Sequence, residues 1–353
     1  KFGLEVVVAI NHFITDTDKE IKIIQDYCSK LKVKVSLCTH WSEGGKGTKD
    51  LANNVVELCE KSDKSKFKYL YSDETPILEK IEKIAKEIYK AKGIEVDDTT
   101  KEKIMRYVEM KDAVIASGLR IVIAKDMPSA WGIAAKAMME FKGLDFVVAH
   151  QIPGADNREL LEWSGVNSAP VVAWNDEPPL NRWNDILFLL ERLNPEKKLL
   201  PETPNERILM FGLSHEICGE LGFGWNRRLD FVRPKEGEEV SEFGKKYGYR
   251  QPDAAMANSR VIEFIIELAN MMKSQRDRGS NFLIGDSITA VDFFWAAFSN
   301  FISIQPAHIC PINPAARPMF ENTTNEITSA IDPILIEHRD FMMDNYFKLP
   351  LEL

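Results

Sequence analysis

The chain has 353 residues, 44% hydrophobic and 28% charged, with a formal net charge of −9. This is the composition of a soluble globular protein with room for two ordinary domains. No apolar run approaches the ~20 residues of a membrane span. The acidic balance, with a sequence pI near 5.4, argues against nucleic acid or a membrane surface as a partner.

The charge is not spread evenly. Up to Glu109 the basic residues are 19 Lys and one Arg; beyond it they are 11 Lys and 14 Arg, together with six of the seven Trp. The first stretch holds 20 basic and 20 acidic residues, so the whole net charge comes from the second. A single domain rarely changes its Lys/Arg habit so abruptly. The chain is therefore expected to join two units of different origin near Glu109 and Met110. It opens at Lys1 without an initiator Met and without a basic-then-apolar leader, which suggests a fragment with no secretory signal. The five cysteines, Cys28, Cys38, Cys59, Cys218 and Cys310, are widely spaced and form no C-x-x-C pair, as expected of reduced thiols in the cytoplasm. His215 and Cys218, three apart on an expected helix, are too few for a closed zinc site, and no metal is expected.

In the first unit, Leu4 to Ile10 reads as a buried strand. Thr17 and Glu20 fit a capping box, opening a helix with apolar positions Ile21, Ile24, Tyr27, Cys28 and Leu31. Val33, Val35 and Leu37 alternate with polar residues and predict a second strand. The loop CTHWSEGGKGTKD follows, then a helix carrying Leu51, Val55, Val56, Leu58 and Cys59. FKYLY (67–71) is expected as a short strand, and Pro76 opens a helix that Gly93 ends. Strands alternating with helices imply a parallel sheet with helical crossovers. Ligands of such sheets bind at loops leaving the C-terminal strand ends. Asn11-His12-Phe13 and Thr39-His40-Trp41 with the Gly44–Gly47 turn stand there. On pattern alone the turn is weak evidence, since a surface turn beside a half-buried Trp explains it, and it is not G-x-x-x-x-G-K-[ST].

VVVAINHFITDTDKEI, CTHWSEGGKG, FKYLY and KIEKIAKEIYKAKGIE together resemble formate–tetrahydrofolate ligase over almost the whole of residues 1–109, and THWxEGGKG is specific for that family. Ser42 stands where the family usually has Ala. The resemblance implies that Phe13 and Trp41 stack on a folate ring, in a reaction that uses ATP to form formyl phosphate and then formylates tetrahydrofolate. The family's phosphate loop with Gly-Lys-Thr has no counterpart in these residues. Phosphoryl transfer rests on such positioning, so this unit is expected to be a partial, inactive ligase segment. ATP and tetrahydrofolate enter as cofactors only if it functions.

In the second unit, Leu119 to Ala124 predicts a strand, IAAKAMMEFKGLDF a helix, and Phe146 to Ala149 a further strand. A short helix is expected at Asn157 to Trp163, a strand at VVAW after Ala169-Pro170, and an amphipathic helix at NDILFLLERL. A Pro-rich link, 195–204, leads to helical patterns at 205–221, 254–273 and 289–302. SAWGIAAKAMMEFKGLDF, Ala169-Pro170-Val171 and FLIGDSITAVDFFWAA resemble the glutathione transferase superfamily. The resemblance implies a thioredoxin-like α/β domain at 110–194 and an all-helical domain at 205–353. It implies a cis proline whose preceding residue meets the cysteinyl amide of glutathione, so Ala169 and Pro170 are candidate glutathione-binding positions. It places Ser129 where the family's thiolate-stabilising Ser or Cys stands, beside Trp131. The plainer reading, Ser129 as a helix cap, is sufficient by itself. Where the family usually has Glu-Ser for the γ-glutamyl group, this chain has Arg182 and Trp183; an Arg there can pair a carboxylate bidentately. Thr289 and Asp292 are expected to cap a core helix. Arg227 and Arg228 either brace the helical domain or hold an anionic substrate, with bracing slightly favoured.

The expected activity is conjugation or reduction of a small-molecule electrophile with glutathione as co-substrate, in a chain that dimerises through its second unit. Its rivals are residual ligase activity and a non-catalytic binding scaffold.

Overall fold

In the computed structural model of the chain, residues 2–63, 66–73 and 75–353 are described. They fall into two compact units, Lys1–Ile104 and Met105–Leu353.

The first unit contains strand β1 (Val7–Asn11), helix α1 (Asp18–Lys30), strand β2 (Lys34–Cys38), the short helix α2 (His40–Glu43), a tight 3-10 turn at Gly44–Thr48, and helices α3 (Lys49–Lys61) and α4 (Ile77–Glu87). β1 and β2 pair in parallel, Val7 opposite Lys34 through Asn11 opposite Cys38, with α1 as the crossover. The capping box of α1 is complete: the Thr17 side chain accepts from the Glu20 amide and the Glu20 carboxylate accepts from the Thr17 amide. Of the expected apolar face of α1, Ile21 and Cys28 are buried, whereas Ile24, Tyr27 and Leu31 are exposed. The phase of β2 is the reverse of the expected one. Ser36 and Cys38 are buried and Val35 and Leu37 only half-buried, because Asn54 of α3 donates to the Ser36 hydroxyl (2.8 Å) and so makes a polar residue acceptable inside.

FKYLY is not a strand. The Lys68 amide donates to the Phe2 carbonyl, Phe67 stacks on Phe2, and Tyr69 is 82% exposed. One backbone bond is not a ladder, and β propensity without a partner strand does not make a strand. Helix α4 ends at Glu87 rather than at Gly93, with Lys90 taking the left-handed conformation (φ 58°) beyond it.

Helix α5 spans Asp98–Ile115. Its later turns belong to the second unit, where Met110 and Ala113 pack with Val122, Ala149, Leu160 and Val171. Residues 88–97, before α5, form neither helix nor strand. Limited proteolysis is therefore expected to cut at 88–97 and leave a stable fragment that keeps Met110 and Ala113. A stable fragment beginning after Ala113 would contradict this, and mass spectrometry of the digest decides it.

The second unit continues with β3 (Leu119–Ala124), α6 (Ala130–Phe141), β4 (Phe146–Gln151), α7 (Arg158–Ser164), β5 (Val171–Trp174) and α8 (Trp183–Leu193). β3 is central, parallel to β4 and antiparallel to β5, and an isolated bridge from Val172 to Leu180 extends the sheet beyond β5. All six residues of β3 are buried, as suits a strand with neighbours on both edges and helices packed against it. The helices that follow are α9 (Pro204–Cys218), α10 (Phe223–Phe231), α11 (Glu242–Lys246), α12 (Gln251–Asp277), α13 (Ala290–Phe298), α14 (Arg317–Glu321), α15 (Asn325–Ala330) and α16 (Pro333–Tyr346). α13 runs through their centre with Phe293, Phe294, Trp295 and Phe298 buried, and it packs on α6 as well as on α9 and α16. One core thus joins the small sheet to the helices, and the strand ends carrying Ala124, Gln151 and Ala169 open beside α10. No helix among the described residues is long and apolar enough to cross a membrane.

Candidate functional sites

In the first unit the loops after β1 and β2 come together. Phe13 and Trp41 lie 5.9 Å apart, ring to ring, at 39°. Trp41 is 71% exposed and Phe13 is exposed as well, an open aromatic pair of the kind that takes a flat ring. Both are held by local bonds. The Phe13 amide donates to Asp16 (2.7 Å). The Thr39 hydroxyl donates to Glu43 (2.6 Å) across the single turn of α2 that carries Trp41. The turn below is closed by the Thr39 amide donating to the Gly47 carbonyl. A Cβ on Gly47 would lie 2.5 Å from the Thr39 carbonyl carbon, so no side chain fits there.

The second unit holds a narrow cavity of about 90 Å³, lined by Ser129 and Trp131 of the β3–α6 corner, by Gln151 and Ala169, and by Arg228 and Tyr247 from the helical half. Its apolar wall includes Phe231, Phe301 and Phe320. Ser129 is the N-cap residue of α6 by position, yet its hydroxyl makes no capping bond and has no hydrogen-bond partner among the described residues. The hydroxyl is therefore not occupied in the way a plain cap would require, and it sits where the α6 dipole favours an anion. The Ala169–Pro170 bond is cis. Pro170 is buried, while Ala169 lines the cavity and its amide donates to the Gln151 side-chain oxygen (2.9 Å).

Arg182 and Trp183 lie elsewhere. They line a second, wider cavity of about 880 Å³ with His215 and Cys218; Trp131 borders both cavities. Arg182 is exposed at the N-cap of α8, and Trp183 packs edge-on against Phe294 at 5.5 Å. Burial pushes the Cys218 thiol well above its ordinary pKa, so it is held as a neutral thiol. No group of three or more His, Cys, Asp and Glu able to hold a metal occurs among the described residues.

The two neighbouring arginines divide their roles. Arg227 is wholly buried, its Nε donating to the Phe301 carbonyl (2.9 Å) and Nη1 to Asp230 (2.9 Å). Arg228, one position on, turns to the cavity. Sequence reading could not separate them, because the helical phase that buries one and not the other is set by where α10 docks. Gln151 and Tyr247 were not anticipated; Gln151 ends an apolar strand and Tyr247 follows a five-residue helix, and neither position carries a motif.

Residues 1–148 match the family model described as Formate–tetrahydrofolate ligase. That match runs past the first unit and stops inside β4 of the second. The Formate–tetrahydrofolate ligase of Pelagibacter ubique is 51% identical over 107 residues, covering 30% of this chain and 19% of the relative. That of Hyphomonas neptunium is 60% identical over 94 residues, covering 27% and 17%. The chain thus spans under a fifth of the length of these curated relatives. Among solved structures, a glutathione S-transferase from Methylobacterium radiotolerans, in complex with glutathione sulfonate, aligns over 65% of this chain and 92% of its own, at 16% identity and a TM-score of 0.45.

Proposed function

We propose that the second unit is a glutathione-dependent transferase whose thiol site is the Ser129 cavity. The observation that carries this reading is the Ser129 hydroxyl. It has no partner among the described residues, it lines a cavity, and it stands at the start of a twelve-residue helix whose first amides favour a thiolate. The β-α-β-α-β order with the Leu180 bridge, followed by helices, is the layout that the thioredoxin-like and helical domains of this superfamily would have. Ser129 donates to the glutathione sulfur in this reading. The Ala169 amide is already taken by Gln151, which leaves the Ala169 carbonyl to accept from the cysteinyl N–H. Arg182 pairs the γ-glutamyl carboxylate in the neighbouring cavity, which shares Trp131 with the first. The transferase reaction is attack of the bound thiolate on an electrophilic carbon, with departure of a leaving group or protonation of the adduct. Retention of the chain on immobilised glutathione, and conjugation of a chloronitrobenzene by it, test the proposal. Failure of both leaves the binding scaffold in its place.

A second reading concerns the first unit, where the Phe13–Trp41 pair is open to a folate ring. No stretch of the 353 residues reads G-x-x-x-x-G-K-[ST]. The expected result is quenching of Trp41 fluorescence by tetrahydrofolate, lost in Trp41→Ala, with no 10-formyltetrahydrofolate formed from ATP and formate. Formylation above the Trp41→Ala control would overturn the inactive part of this reading.

A further inference from the structure

Arg228 is a cation without an anion. Its guanidinium carbon lies 4.3 Å from the Trp131 ring centre, 4.2 Å from that of Tyr247 and 5.8 Å from that of Trp225. Among the described residues it makes no ion pair and no hydrogen bond. The nearest acid in sequence, Asp230, is engaged by Arg227 and Arg233 instead. Partial burial against these rings lowers the pKa of the Arg228 guanidinium. An arginine remains protonated even so. Aromatic faces return part of the hydration that this half-buried guanidinium loses, but leave its N–H donors without a partner among the described residues.

The surroundings specify what would satisfy it. Arg228 lines the same cavity as Ser129, and among the described residues no carboxylate lines that cavity. Phe231, Phe301 and Phe320 give the same cavity an apolar aromatic wall. Phe231 also packs edge-on against Phe320 at 5.1 Å, which fixes the wall's shape. Tyr247 reaches back to the loop before the cis bond, 3.5 Å from the Ser168 hydroxyl. A planar fork of N–H donors matches a carboxylate bidentately. The flat apolar wall matches an aryl group.

We propose that Arg228 is the carboxylate-recognition residue of this cavity, and that its ligand is a compact aromatic acid presented to the thiol site. That the acid is a second substrate rests on the transferase reading; that it binds does not.

The test uses the full chain and titrates trans-cinnamate against trans-cinnamamide by calorimetry. The two differ in charge and hardly in shape. The acid is expected to bind at least about tenfold more tightly, the span of a charged hydrogen bond. Arg228→Gln should abolish that preference while leaving the amide's affinity alone, and Arg228→Lys, which keeps charge without the fork, should weaken it. If Arg228→Gln proves unfolded in a melt, the wild-type ratio and Arg228→Lys decide. Equal binding of acid and amide, no binding of either, or a preference that survives Arg228→Gln would overturn the assignment. Mutually exclusive binding of cinnamate and glutathione would show that Arg228 holds a glutathione carboxylate, and would overturn the second-substrate role. Cinnamate preference in a chain that binds no glutathione would uphold the Arg228 site and remove the transferase reading alone.

Discussion

Replacing Ser129 by Ala is expected to slow glutathione conjugation near neutral pH by roughly ten- to hundredfold while leaving the melting temperature unchanged. A hydrogen bond to a charged group contributes about 1.5–3 kcal/mol, and each 1.4 kcal/mol or so of barrier is about tenfold in rate. The sign with pH follows from which form the hydroxyl favours. Ser129 donating to sulfur stabilises the thiolate and lowers the pKa of the bound thiol. Without it that pKa rises, so the rate deficit is greatest on the acid side and closes as pH climbs past the new value. Stability should not follow, because the Ser129 hydroxyl makes no bond to the α6 amides. A Ser that did cap the helix would cost about 1 kcal/mol on removal. A mutant that melts early and conjugates at the wild-type rate would make Ser129 a cap and nothing more. Stopped-flow kinetics across pH and a thermal melt on the same preparation separate the two.

How much of this was legible in the chain depends on how local each determinant is. The Thr17–Glu20 box, and the Thr289–Asp292 box that opens α13, are local devices, and both are present as expected. The strands LRIVIA and VVAW have the expected bounds, since both are short, mainly apolar runs, broken in the first only by Arg120, and both are closed by turn residues. FKYLY has the same composition and is not a strand, because strands need partners and composition does not supply them. The inverted phase of β2 has a similar origin: alternation was read from hydrophobicity, whereas Asn54 reaches from the next helix to hold Ser36 inside. In the candidate site, Ser129 and Ala169 stand at element ends that motifs locate, and they meet in one cavity. The separation of Arg182 and Trp183 from them depends on how α8 and α9 pack. The difference between Arg227 and Arg228 is one step of about 100° around a helix. That step decides between a brace and a binding group only once α10 is docked against Phe301.

The largest loss of stability is expected at Asp292, which no part of the proposed chemistry uses. Its side chain is wholly buried, and four donors converge on it. Oδ1 accepts from the Leu283 amide (2.8 Å) and from His338 Nε2 (3.0 Å); Oδ2 accepts from the Thr289 amide (2.8 Å) and the Thr289 hydroxyl (3.0 Å). It therefore ties the start of α13, the turn before it and α16 into one unit. Asp292→Ala strands those donors away from water, and breaking a buried charged network of this kind costs about 3–5 kcal/mol. That is a large share of the ~5–15 kcal/mol by which a domain is stable. At about 2–4 °C per kcal/mol for a unit of this size, the melting temperature should fall by roughly 6–20 °C. Asp292→Asn should not rescue it. An amide offers one acceptor oxygen, so whichever way it turns, its NH2 faces donors, either the Thr289 amide and hydroxyl or the Leu283 amide and His338. Thr289→Ser keeps the hydroxyl and should be mild. If Asp292→Asn melts with the wild type, the four bonds do not hold the helical half together in the way their geometry implies. The packing of Phe293 on Phe141 and of Phe298 on Trp131, which joins α13 to α6, would then account for the stability of that half without them.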